Sequence, residues 1–98
     1  MASALTDEQE KAAAERKAQS EVLERIRSGD LLFSEIVKTV DHDEVLKKIQ
    51  VGAVLRAIPG MGTMKCARVF ELTEISPDRR MGSLSDRQLS ALSNNIPG

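Results

Sequence analysis

Leu55-Arg56-Ala57-Ile58-Pro59-Gly60-Met61-Gly62-Thr63-Met64-Lys65-Cys66 runs from an apolar helix through a Pro-Gly-x-Gly turn into a second helix with basic side chains. Two glycines one residue apart allow a tight turn and a close approach to another molecule, because neither carries a Cβ. The helix beyond the turn opens with N–H groups that have no intrahelical acceptor and carry partial positive charge, an arrangement that suits an anion. Lys65 and Arg68, three residues apart and so on one helical face, add formal charge beside it. The pattern predicts a hairpin between helices in which Pro59, Gly60, Met61, Gly62 and Thr63 hold a nucleic-acid phosphate. Backbone amides do the holding, so affinity is expected to depend little on base sequence.

Glycine also ends helices for purely local reasons. Here the flanks favour the hairpin over a plain helical corner. Val51, Val54, Leu55 and Ile58 fall at i, i+3, i+4 and i+7, the spacing of one buried helical face. Cys66, Val69, Phe70 and Thr73 repeat it, so the two helices can pack across the turn. Cys66 reads as the small residue that close helix approach demands and not as a nucleophile, since nothing positions a base beside it.

Toward the C-terminus, Ser76-Pro77-Asp78-Arg79-Arg80-Met81-Gly82-Ser83 is rich in turn formers. Ser85-Asp86-Arg87-Gln88 then has the form of a capping box, and Leu84 is spaced to touch Leu89 as a hydrophobic staple. Leu89 and Leu92 are expected to face the core, with Asn94 ending the last helix. Adjacent arginines alone mark a solvated surface. One short helix after a phosphate-holding hairpin, Arg79 and Arg80 become phosphate or minor-groove contacts, with Arg87 joining them. Glu71, Glu74 and Asp78 are expected to orient or partly neutralise this pair.

Toward the N-terminus, Thr6-Asp7-Glu8-Gln9 has the form of another capping box, opening a long helix to about Ser28 that Gly29 ends. Between Glu10 and Ser20 its only apolar residues are alanines, so this half has little to bury. It is either an exposed helix held by pairs such as Glu21 with Arg25 or an arm that contacts DNA. Val22, Leu23 and Ile26 form an edge that can dock on a core. Leu31, Leu32, Ile36 and Val40, with Phe33 and Val37, suggest a second helix central to that core. Asp41-His42-Asp43-Glu44 is a break and an acidic new start; His42 has no second His or Cys near it to complete a metal site.

The chain has 98 residues with two aromatics, Phe33 and Phe70, so the core must be aliphatic and modest. The net charge of -1 hides an uneven distribution: residues 1–50 hold 8 Lys or Arg against 11 Asp or Glu, and residues 51–98 hold 6 against 4. A single cysteine excludes an intramolecular disulfide, and with a single histidine it excludes a Cys/His zinc cluster. Neither an apolar run of about 20 residues nor a signal-peptide layout is present. The expectation is an all-α, soluble, cytoplasmic protein with no cofactor, metal or membrane partner. It divides into a long N-terminal helix over residues 1–29 and a compact helical DNA-binding domain over residues 30–98.

Thr6-Asp7-Glu8-Gln9, the Ala- and charge-rich helix, Asp43-Glu44-Val45-Leu46, Ile58-Pro59-Gly60-Met61-Gly62 and Ile75-Ser76-Pro77-Asp78-Arg79-Arg80 together resemble actinobacterial integration host factor over nearly the whole chain. Residues 51–93, with Leu84-Ser85-Asp86-Arg87-Gln88 opening the last helix, are also similar to the helix-two-turns-helix unit of a small-subunit ribosomal protein. The first resemblance implies a monomeric nucleoid-associated protein that binds double-stranded DNA with little sequence preference and alters its shape. By the same resemblance it supports phage integration, with phage integrase as an indirect partner, and chromosome organisation in the nucleoid; association along DNA stays open. It implies DNA contacts on the hairpin, on Arg79 and Arg80, and on the long helix. The family tends to carry a third basic residue after the arginine pair, where this chain has Met81-Gly82-Ser83.

Helix-hairpin-helix elements also occur in DNA glycosylases. This chain has no zinc finger, no N-terminal proline and no second domain to hold a flipped base, so catalysis is not expected. The alternative reading is a structured-RNA or ribosome-associated protein using the same hairpin. Its acidic N-terminal half and lack of a long basic tail weigh against that. A third is a protein-interaction adaptor that docks through the first helix.

Overall fold

A computed structural model describes residues 7–96, with side chains from residue 10 onward. The expected cap at Thr6, paired with Gln9, lies outside the described residues. The long helix α1 (Asp7–Ser28) has 22 residues, about 33 Å at the usual rise. From Glu10 to Ser20 its surface is largely exposed. Val22 and Leu23 pack on the core and Ile26 enters it, as the change of pattern predicts. Gly29, with φ +87°, ends α1, and the Leu31 N–H donates to the Arg25 carbonyl at 3.1 Å. Among the described residues Glu21 and Arg25 form no ion pair. Glu24 and Arg27 pair instead at 3.6 Å, and both are exposed, so the pair contributes little.

Helix α2 (Phe33–Thr39) buries Phe33 and Ile36, and a 3-10 turn (Val40–His42) buries Val40. Leu32, expected in the apolar stripe, is 45 % exposed: it is the extended residue before the helix, so its side chain leaves the buried face. His42 is exposed. Asp43 caps α3 (Glu44–Lys48), its Oδ1 accepting from the N–H groups of Val45 at 2.9 Å and Leu46 at 3.2 Å.

Helix α4 (Val51–Ala57) is the centre of the molecule, with Val51, Val54 and Leu55 fully enclosed. It packs against α1 and against α5 (Gly62–Thr73), while α6 (Asp86–Asn94) packs against α2 and α5. Between α5 and α6 the chain makes a corner that returns to the start of α4. The Val51 N–H donates to the Arg79 carbonyl at 2.8 Å, the Gly52 N–H to the Pro77 carbonyl at 3.0 Å, and the Met81 N–H to the Ile49 carbonyl at 2.9 Å. Met81, in a second 3-10 turn (Met81–Ser83), is enclosed and pins the corner to the core. Among the described residues there is no strand, only an isolated bridge between Gln50 and Arg80.

Helix α6 forms as expected. Ser85 Oγ accepts from the Gln88 N–H at 3.2 Å, and Gln88 Oε1 accepts from the Ser85 N–H at 2.9 Å. Leu84, Leu89 and Leu92 are buried, and Asn95 follows the helix, its side chain donating to the Ala91 carbonyl at 2.8 Å.

Glu74 ends α5 with φ 58°, the left-handed region that favours glycine. A non-glycine residue there costs roughly 1–2 kcal/mol, against about 0.5–1 kcal/mol of extra backbone entropy that glycine loses on folding. Glu74→Gly should therefore raise the thermal midpoint by a few degrees, as read by circular dichroism; a fall would show that the Glu74 side chain contributes more than its backbone strain costs.

Candidate nucleic-acid interface

The hairpin joins α4 to α5 through a four-residue turn, Ile58 to Met61, closed by the Met61 N–H donating to the Ile58 carbonyl at 3.3 Å. Proline at the second position and a positive φ at the third, +83° at Gly60, are the marks of a type II turn. Gly62 follows with φ +66° and turns the chain into α5. A Cβ at Gly60 or Gly62 would meet nothing within 4 Å, so it is backbone conformation that requires glycine there.

Gly62, Thr63 and Met64 are exposed, and their N–H groups have no acceptor among the described residues. They form an open row of donors at the positive end of a 12-residue helix. Lys65 Nζ donates to the Gly60 carbonyl at 3.2 Å, which steadies the turn and brings a cation beside those donors. Arg68 is exposed one turn further on and lines a shallow groove with Met64, Lys65, Ala67 and Glu71.

Met61 departs from expectation. Its side chain is 2 % exposed and its N–H closes the turn, so neither group is free to meet a ligand. An apolar residue at that point of the turn is taken into the hydrophobic core. Met64 does the reverse: it is 86 % exposed beside the free amides, off the face of Cys66, Val69 and Phe70, and was not among the expected contacts because its side chain carries no charge.

Arg79 and Arg80 project from the corner. The Arg79 guanidinium donates to Ser83 Oγ at 3.2 Å and to the Ser83 carbonyl at 2.7 Å; that of Arg80 donates to the Lys48 carbonyl at 2.6 Å. Each guanidinium has five N–H donors, so both keep some for a ligand. Glu71, Glu74 and Asp78 do not pair with them: among the described residues neither arginine forms an ion pair. The reason is that both guanidinium groups turn toward backbone carbonyls instead. Arg87 is exposed in the first turn of α6, with no hydrogen bond to Arg79 or Arg80 among the described residues. Lys47 and Lys48, which sequence reading did not select, lie against the corner. Their adjacency was the only signal, and the contact with Arg80 spans 32 residues.

The hairpin sits at the C-terminal end of α4 and the arginine corner at its N-terminal end. Seven helical residues separate them by about 10 Å along the axis. Cys66 lies between, buried where α5 meets α4; burial pushes its thiol up from the usual cysteine range, against a smaller opposing effect of Arg56. The thiol is thus neutral near neutral pH.

The S13-like H2TH domain family matches residues 26–96. The chain is 42 % identical over 93 residues to the integration host factor of Mycobacterium tuberculosis, covering 90 % of this chain and 89 % of that protein. It is 33 % identical over 83 residues to the integration host factor of Streptomyces coelicolor, covering 85 % and 78 %. Among solved structures it is similar to sIHF bound to an 8 bp palindromic DNA, with a TM-score of 0.80 and 31 % identity over 90 % of this chain and 99 % of that one.

Gly60→Ala and Gly62→Ala should each destabilise the fold by about 1 kcal/mol, the backbone strain of roughly 1–2 kcal/mol less the roughly 0.5–1 kcal/mol of backbone entropy that alanine saves, since both positions are open. Chemical denaturation would measure it, and a neutral result would mean that the turn relaxes. Cys66 should react with iodoacetamide far more slowly in the native protein than in denaturant. Equal rates would contradict its burial.

Proposed function

The chain belongs to the actinobacterial integration host factor family, and we propose that it is an architectural protein that binds double-stranded DNA largely without sequence preference and changes its shape. In this role the free N–H groups of Gly62, Thr63 and Met64 hold one phosphate, with Lys65 and Arg68 beside it. Arg79 and Arg80 reach a second phosphate stretch or groove edge. Arg87 and the exposed face of α1 extend the contact. Acting as a monomer in the nucleoid, the protein supports phage integration and chromosome organisation.

The observation that carries this reading is the placement of two anion-seeking regions, amides without an acceptor and arginines without an ion pair among the described residues, at the two ends of one buried helix. Helix α4 spans about 10 Å between the backbone anchors of the two regions. Most of the groups offered are backbone amides and cations, which meet phosphate and carry no base code. A rigid body that engages two separated backbone segments alters duplex shape when the free duplex does not match it. The S13-like character of the matched domain supports a second reading, structured RNA as the ligand. The acidic N-terminal half, with 8 basic against 11 acidic residues, weighs against a long RNA-threading surface.

Duplex affinity should fall steeply with salt. The four side chains Lys65, Arg68, Arg79 and Arg80 alone correspond to a slope of about -3 to -4 in log K against log salt, and each further phosphate contact adds about -1. Arg79→Gln with Arg80→Gln should flatten it by about 2. A flat salt response, or tighter binding to folded RNA than to duplex DNA in the same titration, would overturn the DNA assignment.

A further inference from the structure

The basic corner extends beyond its two arginines. Arg80 binds the Lys48 carbonyl at 2.6 Å, and Gly82 approaches so closely that a Cβ there would lie 2.8 Å from the Lys47 Cβ. Position 81 is enclosed and position 82 has no side chain, so the segment after the arginine pair presents no charge of its own. The space it leaves is occupied by the stem of Lys47. Lys47 and Lys48 therefore adjoin the segment that carries Arg79 and Arg80 where the end of α3 meets the corner.

The two lysines differ from the arginines in having carboxylate partners. Lys47 Nζ lies 3.5 Å from Glu44 on its own helix. Lys48 Nζ lies 2.9 Å from Glu15 Oε1, the one ion pair among the described residues that joins two elements, here α3 to the alanine-rich half of α1. Both side chains of that pair are partly open to solvent, 46 % and 39 % exposed. Lys48 holds the Glu15 carboxyl below the usual glutamate range, first through the hydrogen bond and then through its charge. An exposed pair of this kind is weak enough for a phosphate to compete with it.

We propose that Lys47 and Lys48 complete the corner as a four-cation site for the DNA phosphate backbone, in which Lys48 exchanges Glu15 for a phosphodiester. Glu15 thereby acts as a built-in competitor, and DNA binding at the corner loosens the hold of α3 on the first half of α1. This rests on the DNA-binding reading above.

Duplex titrations of the full chain across a salt series, on single and paired variants, test it. Lys47→Gln and Lys48→Gln should each flatten the salt slope by about 1. Glu15→Gln should tighten binding by about 2- to 5-fold, and this gain should vanish in the Lys48→Gln background. Glu24→Gln makes the same charge change elsewhere on α1 and should give a smaller gain. Glu15→Gln keeps every lysine in place, so its result does not depend on how well a Lys48 variant folds. No duplex binding by the unmodified chain would overturn both readings. Duplex binding that Arg79→Gln with Arg80→Gln weakens, but that Glu15→Gln leaves unchanged or tightens equally with and without Lys48, would overturn this inference alone.

Discussion

Three backbone hydrogen bonds between the segments Ile49–Gly52 and Pro77–Met81 organise the rest of the molecule. The first N–H groups of a helix need acceptors, and Gln50, which precedes α4, supplies none from its side chain. The carbonyls of Pro77 and Arg79 meet that need from across the chain, at 3.0 and 2.8 Å. Leaving such buried donors unmet would cost roughly 1–3 kcal/mol each. The corner is therefore shaped by the demands of α4. Its position, with Met81 sunk into the core, follows from the same bonds.

Backbone and side-chain groups divide between interior and surface along this frame. In the hairpin, the Met61 N–H closes the turn, while the next three N–H groups have no partner among the described residues. At the corner, the Pro77 and Arg79 carbonyls face α4 and the arginine side chains face outward, steadied by Ser83 and Lys48. Both surface regions are anchored through neighbouring atoms that are buried or hydrogen-bonded within the fold. Donors held in this way lose little freedom when they meet a ligand.

Much of this was legible in the sequence where the signal was local. The i, i+3, i+4, i+7 spacing of Val51 to Ile58 marked a face that is buried throughout, and Ser85 with Gln88 marked a capping box that forms as written. The hairpin followed from glycine chemistry, and Gly60 and Gly62 both have the positive φ that makes glycine necessary. Side-chain direction around the turn was less readable. Met61 and Met64 are the same residue type three positions apart, yet one is enclosed and the other almost bare, because a left-handed residue resets the helical phase on which periodicity depends. Nonlocal contacts were invisible: nothing in the sequence joins Lys48 to Glu15 or to Arg80, each over 30 residues away. Ion pairs of Arg79 and Arg80 with their acidic neighbours are absent among the described residues for a related reason. Acidic residues close in sequence, Asp78 even adjacent to Arg79, are not the groups to which the guanidinium groups donate.

The enclosed helix α4 has a consequence for how this molecule can vary. One residue more or fewer between Gln50 and Ile58 would shift the hairpin by about 1.5 Å and rotate it by about 100° relative to the arginine corner. The two surfaces would then point in different directions although each kept its own residues. Insertions and deletions outside α4 would leave this relation intact, whereas its seven residues act as a phase-setting spacer. What must persist is their number, as much as their chemistry.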